Sequence, residues 1–304
     1  MATVPIVTDI TTHVTTWDAS GYITAINAHI VATAGTTKLA VDDLNVNEGI
    51  TIGFLAGGEG QQINLRKSAA AVLQVSCEPS GSITDAGNST PTAPTGTSAD
   101  WSGERSWTCA NSGTNVGAGS KLWCIEVDDA FFLLTTDTTN TYHLSALHAG
   151  RIAFSTNSAG AAAAGQDGLG FIGAYGTAGI NTNGGSAPGG WMIGNNDCST
   201  IHWATNEWSD HLIQSITISG GVTASPADTT YRPLPPLYIT ADDIDGSFSD
   251  QLYGTMKYVR SQNGTGSPKA RLDDGASNQS WMHVYSTNTA SWGPMVIWDK
   301  TVTP

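Results

Sequence analysis

Two short stretches gather residue types that can do chemistry. DCSTIHWATNEWSDH, residues 197–211, brings together Asp197, Cys198, His202, Glu207, Asp210 and His211, all of them types that ligate transition metals. Their spacing matches no zinc pattern, because structural zinc sites use tightly paired ligands, and Trp203 and Trp208 are interleaved. The plainer expectation is an exposed loop whose tryptophans pack on a neighbour. ADDIDGSFSD, residues 241–250, is the better cation candidate. Its Asp243, Asp245, Gly246 and Asp250 fit the opening of a calcium loop, where alternate carboxylates face inward and glycine permits the turn. The glutamate that closes such a loop at its twelfth position is missing, and Gly254 stands there. A solvated acidic turn between strands is the simpler reading of the same residues.

Catalytic signatures are missing. The sequence has no GxSxG elbow, no HExxH, no phosphate-binding loop and no dinucleotide fingerprint. Glycine pairs at 57–58, 184–185 and 189–190 lack the strand-then-helix setting of a phosphate cradle and read as turns. Glycosidases need two carboxylates converging across a cleft. Glu126, Asp128, Asp129 and Asp167 are available for that role, but nothing in their spacing brings two of them face to face. We therefore expect no catalytic residue, no bound cofactor and no enzymatic activity.

The four cysteines, Cys77, Cys109, Cys124 and Cys198, form no CxxC pair. In a reducing cytoplasm they are expected to be partly buried thiols, with Cys109 and Cys124 the pair to examine for a disulfide. Ten tryptophans are spread along the chain. Trp123 and Trp298 sit in strand-like apolar runs and are expected in the core. Trp101, Trp107, Trp203 and Trp208 lie in polar contexts, where aromatic side chains anchor interfaces or stack on sugars.

The bulk composition narrows the partners. Charged residues make up 12% of the 304 residues, about half the usual share, and Thr, Ser, Asn and Gly fill the surface instead. Such groups are buried against a neighbouring subunit at lower desolvation cost than Lys or Glu. A net charge of −14 with 12 scattered Lys and Arg provides no basic footprint for nucleic acid. No window approaches the ~18 apolar residues of a membrane helix, and MATVPIVTDITTHVTTW lacks the basic and apolar regions of a signal peptide. These features predict a protein made in a cytoplasm, without nucleic-acid binding or membrane insertion.

The elements that must position these residues are mostly strands. In SGYITAINAHIVAT, residues 20–33, Ile23, Ile26, Ile30 and Val31 fall at helical spacing, with Ser20 as a candidate cap and Gly35 beyond the end. KLAVDDLNV, ITIGFLA and AAVLQVSCE then read as short strands. Residues 91–120 read as a loop or linker rich in Pro, Ser, Thr, Gly and Asn. KLWCIEVDDAFFLLTTD predicts two strands, or one bent strand, broken at Asp128 and Asp129. HAGRIAFST, GLGFIGAYG, HLIQSITIS, LYIT, YGTMKYVR, WMHVYST and PMVIWDK continue the pattern. The expected fold is mainly β, a sandwich or barrel-like arrangement with one short N-terminal helix and long loops. Its expected parts are an extended arm over 1–16, a small α+β region over 17–90, the linker over 91–120 and a β-rich main domain over 121–304. The Thr-rich arm is expected to contact another subunit, so that its removal impairs assembly and spares the fold.

The order of these motifs resembles a group of tailed-bacteriophage virion structural proteins. GYITAINAHIVATAG is similar to their early helix ending in Gly. ADWSGERSWTC followed by KLWCIEVDDAFFLLTTD resembles a Trp-containing strand leading through an Asp pair into an aromatic strand. HAGRIAFST with DGLGFIGAYG, YRPLPPLYIT with YGTMKYVR, and the closing WMHVYSTNTASWGPMVIWDKTVTP follow in the same order. The resemblance implies a virion component, at the tail tip, baseplate, fibre attachment or capsid surface alike, assembled in the host cytoplasm with copies of itself and other virion proteins; the tail or baseplate is the expected place. A capsid-surface decoration protein, or a virion module that binds a host receptor or carbohydrate, is the alternative place.

Overall fold

The computed structural model describes residues 4–32, 38–41, 49–54, 61–79, 105–109, 116–127, 130–141, 143–154, 168–175, 197–202, 207–214, 236–242, 248–263, 271–273, 279–283 and 292–304. Strands dominate these residues, the sheets are antiparallel, and there is one α-helix, α1 (Ala19–Ala32), preceded by a single 3-10 turn at Thr11–His13. The first half supplies β1 (Ile6–Asp9), β2 (Lys38–Val41), β3 (Gly49–Phe54), β4 (Gln61–Ala69), β5 (Val72–Pro79), β6 (Arg105–Thr108), β7 (Leu122–Val127), β8 (Ala130–Thr136) and β9 (His143–Phe154). The second half supplies β10 (Gly168–Tyr175), β11 (Asp197–His202), β12 (Glu207–Gln214), β13 (Pro236–Asp242), β14 (Phe248–Asn263), β15 (Arg271–Asp273), β16 (Gln279–His283) and β17 (Trp292–Asp299).

A five-stranded sheet runs β2-β3-β4-β5-β6 in simple up-and-down order. A twelve-stranded sheet runs β1-β7-β8-β9-β10-β11-β12-β13-β14-β17-β16-β15, and β9 pairs additionally with β14 through Gly254↔Phe154, Thr255↔Ala153 and Met256↔Ile152. Strands β9 to β14 therefore form a closed cycle of pairings. The two longest strands, of 12 and 16 residues, make this possible. Each is long enough to leave one neighbour and join another along its length.

The Asp128-Asp129 break separates β7 from β8. β7 ends at Val127 and β8 begins at Ala130, and these two residues are paired. Every residue of β7 and of β8 is buried, which is why this segment reads as a continuous apolar run rather than an alternation. Period-two geometry splits it into two faces. Leu122, Cys124, Phe131, Leu133 and Leu147 join the core around α1. On the other face Trp123 meets Trp298 edge-on at 5.4 Å between ring centroids, and Phe132 packs on His148 at 4.4 Å. Trp123 and Trp298 are buried as expected, at 6% and 0% exposure.

Helix α1 lies between the sheets. Tyr22, Ile23, Ala25 and Ile26 share one apolar cluster with Ile50, Ile52, Leu65 and Leu73 of the small sheet and with the inner face of β7–β9. The expected regions 17–90 and 121–304 thus share a core. The helix cap differs from expectation. Asp18, not Ser20, accepts the Gly21 amide at 2.9 Å, the N-cap geometry, while the Ser20 hydroxyl accepts from Lys67 Nζ at 2.6 Å.

Three other expectations change. Residues 105–108, inside the expected linker, form β6 on β5, with Trp107 opposite Leu73. At four residues, the strand is too short to carry a readable alternation. Residues 197–202 and 207–211, expected as loop, lie on the paired strands β11 and β12, with Cys198 opposite His211 and His202 opposite Glu207. The N-terminal arm lies on its own chain: β1 pairs with β7, from Ile6↔Glu126 to Asp9↔Trp123, and Ile10 is fully buried. One buried isoleucine and a short strand are enough to dock a segment when an open sheet edge lies beside it.

Candidate functional site

The most unusual chemistry among the described residues lies where α1 crosses β7. Cys124 and Glu126 are two apart on β7 and so share a face, flanked by β1 partners Thr8 and Ile6 and by β8 partners Leu133 and Phe131. His29 comes from the last turn of α1, two turns after Tyr22. Its Nε2 lies 2.8 Å from Glu126 Oε2, a hydrogen bond that the carboxylate accepts. One ligand atom from each of His29, Cys124 and Glu126 lies within 4.8 Å of the others. All three residues are buried, at 3%, 0% and 2% exposure.

This arrangement is not built for nucleophilic catalysis on a large substrate. A buried thiol has no approach for one, and a sugar-cleaving carboxylate must face a cleft. Glu126, considered for that role, instead holds His29 inside the protein. The same donors can do two other things. Imidazole and carboxylate can latch helix to sheet, and the three together can ligate a metal ion.

A second polar cluster anchors the N-terminal strand. Lys121 Nζ donates to Asp9 Oδ2 at 2.8 Å, Leu122 N donates to Thr11 Oγ1 at 2.9 Å, and Ile10 N donates to the Leu122 carbonyl at 2.9 Å. Burial pushes the Asp9 carboxyl up, but hydrogen bonds from Lys121 and Thr11 and the Lys121 charge outweigh it, so the group sits below its usual value. Asp18 behaves alike: burial raises it, and the Gly21 amide, Thr16 hydroxyl and Lys67 charge bring it below the ordinary carboxylate range.

Apart from Cys124 and Glu126, the residues singled out by sequence fall elsewhere. Trp107 is in β6 and Trp208 in β12, opposite Ile201. Asp250 lies in β14. Trp101, Trp203, Asp243, Asp245, Asp128, Asp129 and Asp167 lie outside the described residues. Cys109 and Cys124 are buried thiols that are not joined in a disulfide, and Cys109 Sγ donates to the Ala71 carbonyl at 3.4 Å. His29 escaped sequence reasoning because its partner is 97 residues away. The available signal was a histidine three residues after Ile26, on an apolar helix face.

Among the described residues no helix is long and apolar enough to cross a membrane. No protein-family model matches the chain, and neither the curated proteins nor the solved structures searched contain a match to it.

Proposed function

We propose that the chain is a structural component of a tailed-bacteriophage virion, placed in the tail or baseplate, acting through interfaces with copies of itself and with other virion proteins. The observation that supports this most is the β1 edge of the long sheet. β1 ends the strand order, so among the described residues its outer side has no strand partner. Val4, just before this strand, and Ile6, its first residue, expose 46% and 53% of their surface. An apolar, open strand edge is a template for pairing with another chain. The sparse charge of the surface and the order of the sequence motifs agree with that use. In this reading the β9–β14 cycle is a barrel-like body. The β7–β9 layer and the small sheet form a sandwich around α1.

Light scattering on the full-length protein, together with pull-downs from phage particles, tests the proposal. The expected result is a homo-oligomer that captures virion proteins. A monomer at all concentrations, with no virion partner, overturns it.

A further inference from the structure

We propose that His29, Cys124 and Glu126 form a binding site for one divalent transition-metal ion of the zinc class, which ties α1 to β7. The donor set is the first argument. Imidazole nitrogen, thiolate sulfur and carboxylate oxygen are the three protein ligand types of zinc, bound at about 2.0–2.3 Å. A tetrahedral ion with such bonds holds its donors about 3.3–3.8 Å apart. Here they lie within 4.8 Å of one another, so closure needs shifts of up to about 1.5 Å, while Nε2 and Oε2, 2.8 Å apart, part by about half an ångström. Calcium and magnesium take oxygen ligands, and a set with sulfur and nitrogen selects against them.

The surroundings are the second argument. The trio is buried among apolar residues of the same core, with Phe131 beside Glu126 and Leu133 beside Cys124 across the sheet. An apolar shell of this kind keeps bulk water from competing for the ion's ligands. The third argument is the backbone. A strand presents residues two apart on one face, so β7 supplies a two-ligand chelate without distortion. The rigid helix delivers the third ligand, leaving a fourth position for water or another donor. On binding, the Cys124 thiol proton leaves to solvent. The hydrogen that His29 Nε2 shares with Glu126 passes through solvent to Nδ1, which opens Nε2 and the carboxylate to the ion.

The test uses the full-length chain, stripped with chelator and titrated with Co²⁺ and then Zn²⁺. The expected result is one ion per chain and a thiolate-to-cobalt charge-transfer band that Zn²⁺ abolishes. Cys124→Ser should lose the band, and His29→Gln should weaken binding by at least about tenfold. Cys109→Ser and His211→Gln should bind as the wild type does, the second excluding the 197–211 segment as the site. Absence of stoichiometric metal, or a band that survives Cys124→Ser, overturns the proposal and leaves a hydrogen-bonded pair beside a packed thiol. If Cys124→Ser does not fold, the wild-type melting temperature decides. Zn²⁺ should raise it by on the order of 5 °C over the chelated protein, and no shift overturns the site.

Discussion

Tyr22 on α1 and Thr135 on β8 share a buried hydrogen bond of 2.7 Å between their hydroxyls, across 113 residues of sequence. Thr135 pairs with Leu122 at the start of β7, and the second helix-to-sheet bond, His29 to Glu126, lies four residues further along that strand. Seven helical residues rise about 10.5 Å, and four strand residues span about 13 Å. The two lengths nearly match, so α1 runs along β7 with a bond near each end. Two directional contacts fix the angle of the helix, which apolar packing alone leaves loose.

Removing one member of the first bond should cost more than removing both. Tyr22→Phe leaves the Thr135 hydroxyl buried without this partner and should destabilise by about 1–3 kcal/mol. Adding Thr135→Val should recover part of that loss. A urea-unfolding double-mutant cycle measures the coupling, and strictly additive effects would show that the bond contributes nothing specific.

The second bond should be more sensitive. Glu126→Leu strips the buried imidazole of its carboxylate and should cost about 1–3 kcal/mol, and His29→Leu, which takes this donor from the buried carboxylate, should cost more. His29→Leu combined with Glu126→Leu should be closer to wild type than either single variant, because the desolvation cost of both polar groups disappears. Denaturant midpoints at neutral pH, in chelator, compare the three.

Gly21 inverts the usual helix rule. Replacing a helical glycine by alanine normally stabilises by about 0.8–1 kcal/mol. Here a Cβ on Gly21 would overlap the Thr16 carbonyl oxygen, where the chain before the helix folds back on its first turn. Gly21→Ala should therefore destabilise, by about 1–3 kcal/mol as in other overpacked sites. Asp18→Ala, which removes the cap of the same turn, should cost about 1 kcal/mol. Thermal melts of both variants check the two signs.

Acid should weaken the N-terminal anchor. Asp9 and Asp18 both sit below their ordinary values in the folded protein. Their stabilisation is complete above the unfolded carboxylate value of about 3.9 and is lost as pH falls through the lower folded values. Asp9→Asn with Asp18→Asn should flatten the fall in stability between pH 5 and pH 2. Both carboxylates are partly exposed, so added salt should shrink the difference. Urea midpoints across that pH range measure it.

The two halves of the N-terminal segment should separate by variant. Val4→Lys alters only an exposed position just before β1, so it should leave the melting temperature within a few degrees of wild type while lowering self-association. Deleting residues 1–16 removes the buried Ile10 and the Asp9–Lys121 and Thr11–Leu122 contacts and should destabilise the fold by several kcal/mol. Circular dichroism with light scattering reads both. A deletion that melts like wild type would show that the segment adds nothing to the core.

Local pattern alone determined much of the secondary structure here. The isoleucine spacing located α1, the Asp128-Asp129 pair located the break between β7 and β8, and β-branched and aromatic runs marked most other strands. Each of these rests on a period or a turn residue within a few positions, which the sequence carries directly. Polar or very short elements, β4, β6, β11 and β15, carry at most a pair of apolar residues at strand spacing and were not legible. The tertiary structure alone decided the β9–β14 closure, the return of β1 onto β7, and the meeting of His29 with Cys124 and Glu126. Those depend on pairings between residues far apart in the chain, and a single sequence holds no record of distance. Glutamate in an apolar strand and histidine in an apolar helix look separately like exceptions. Only the packing of α1 along β7 makes them one site.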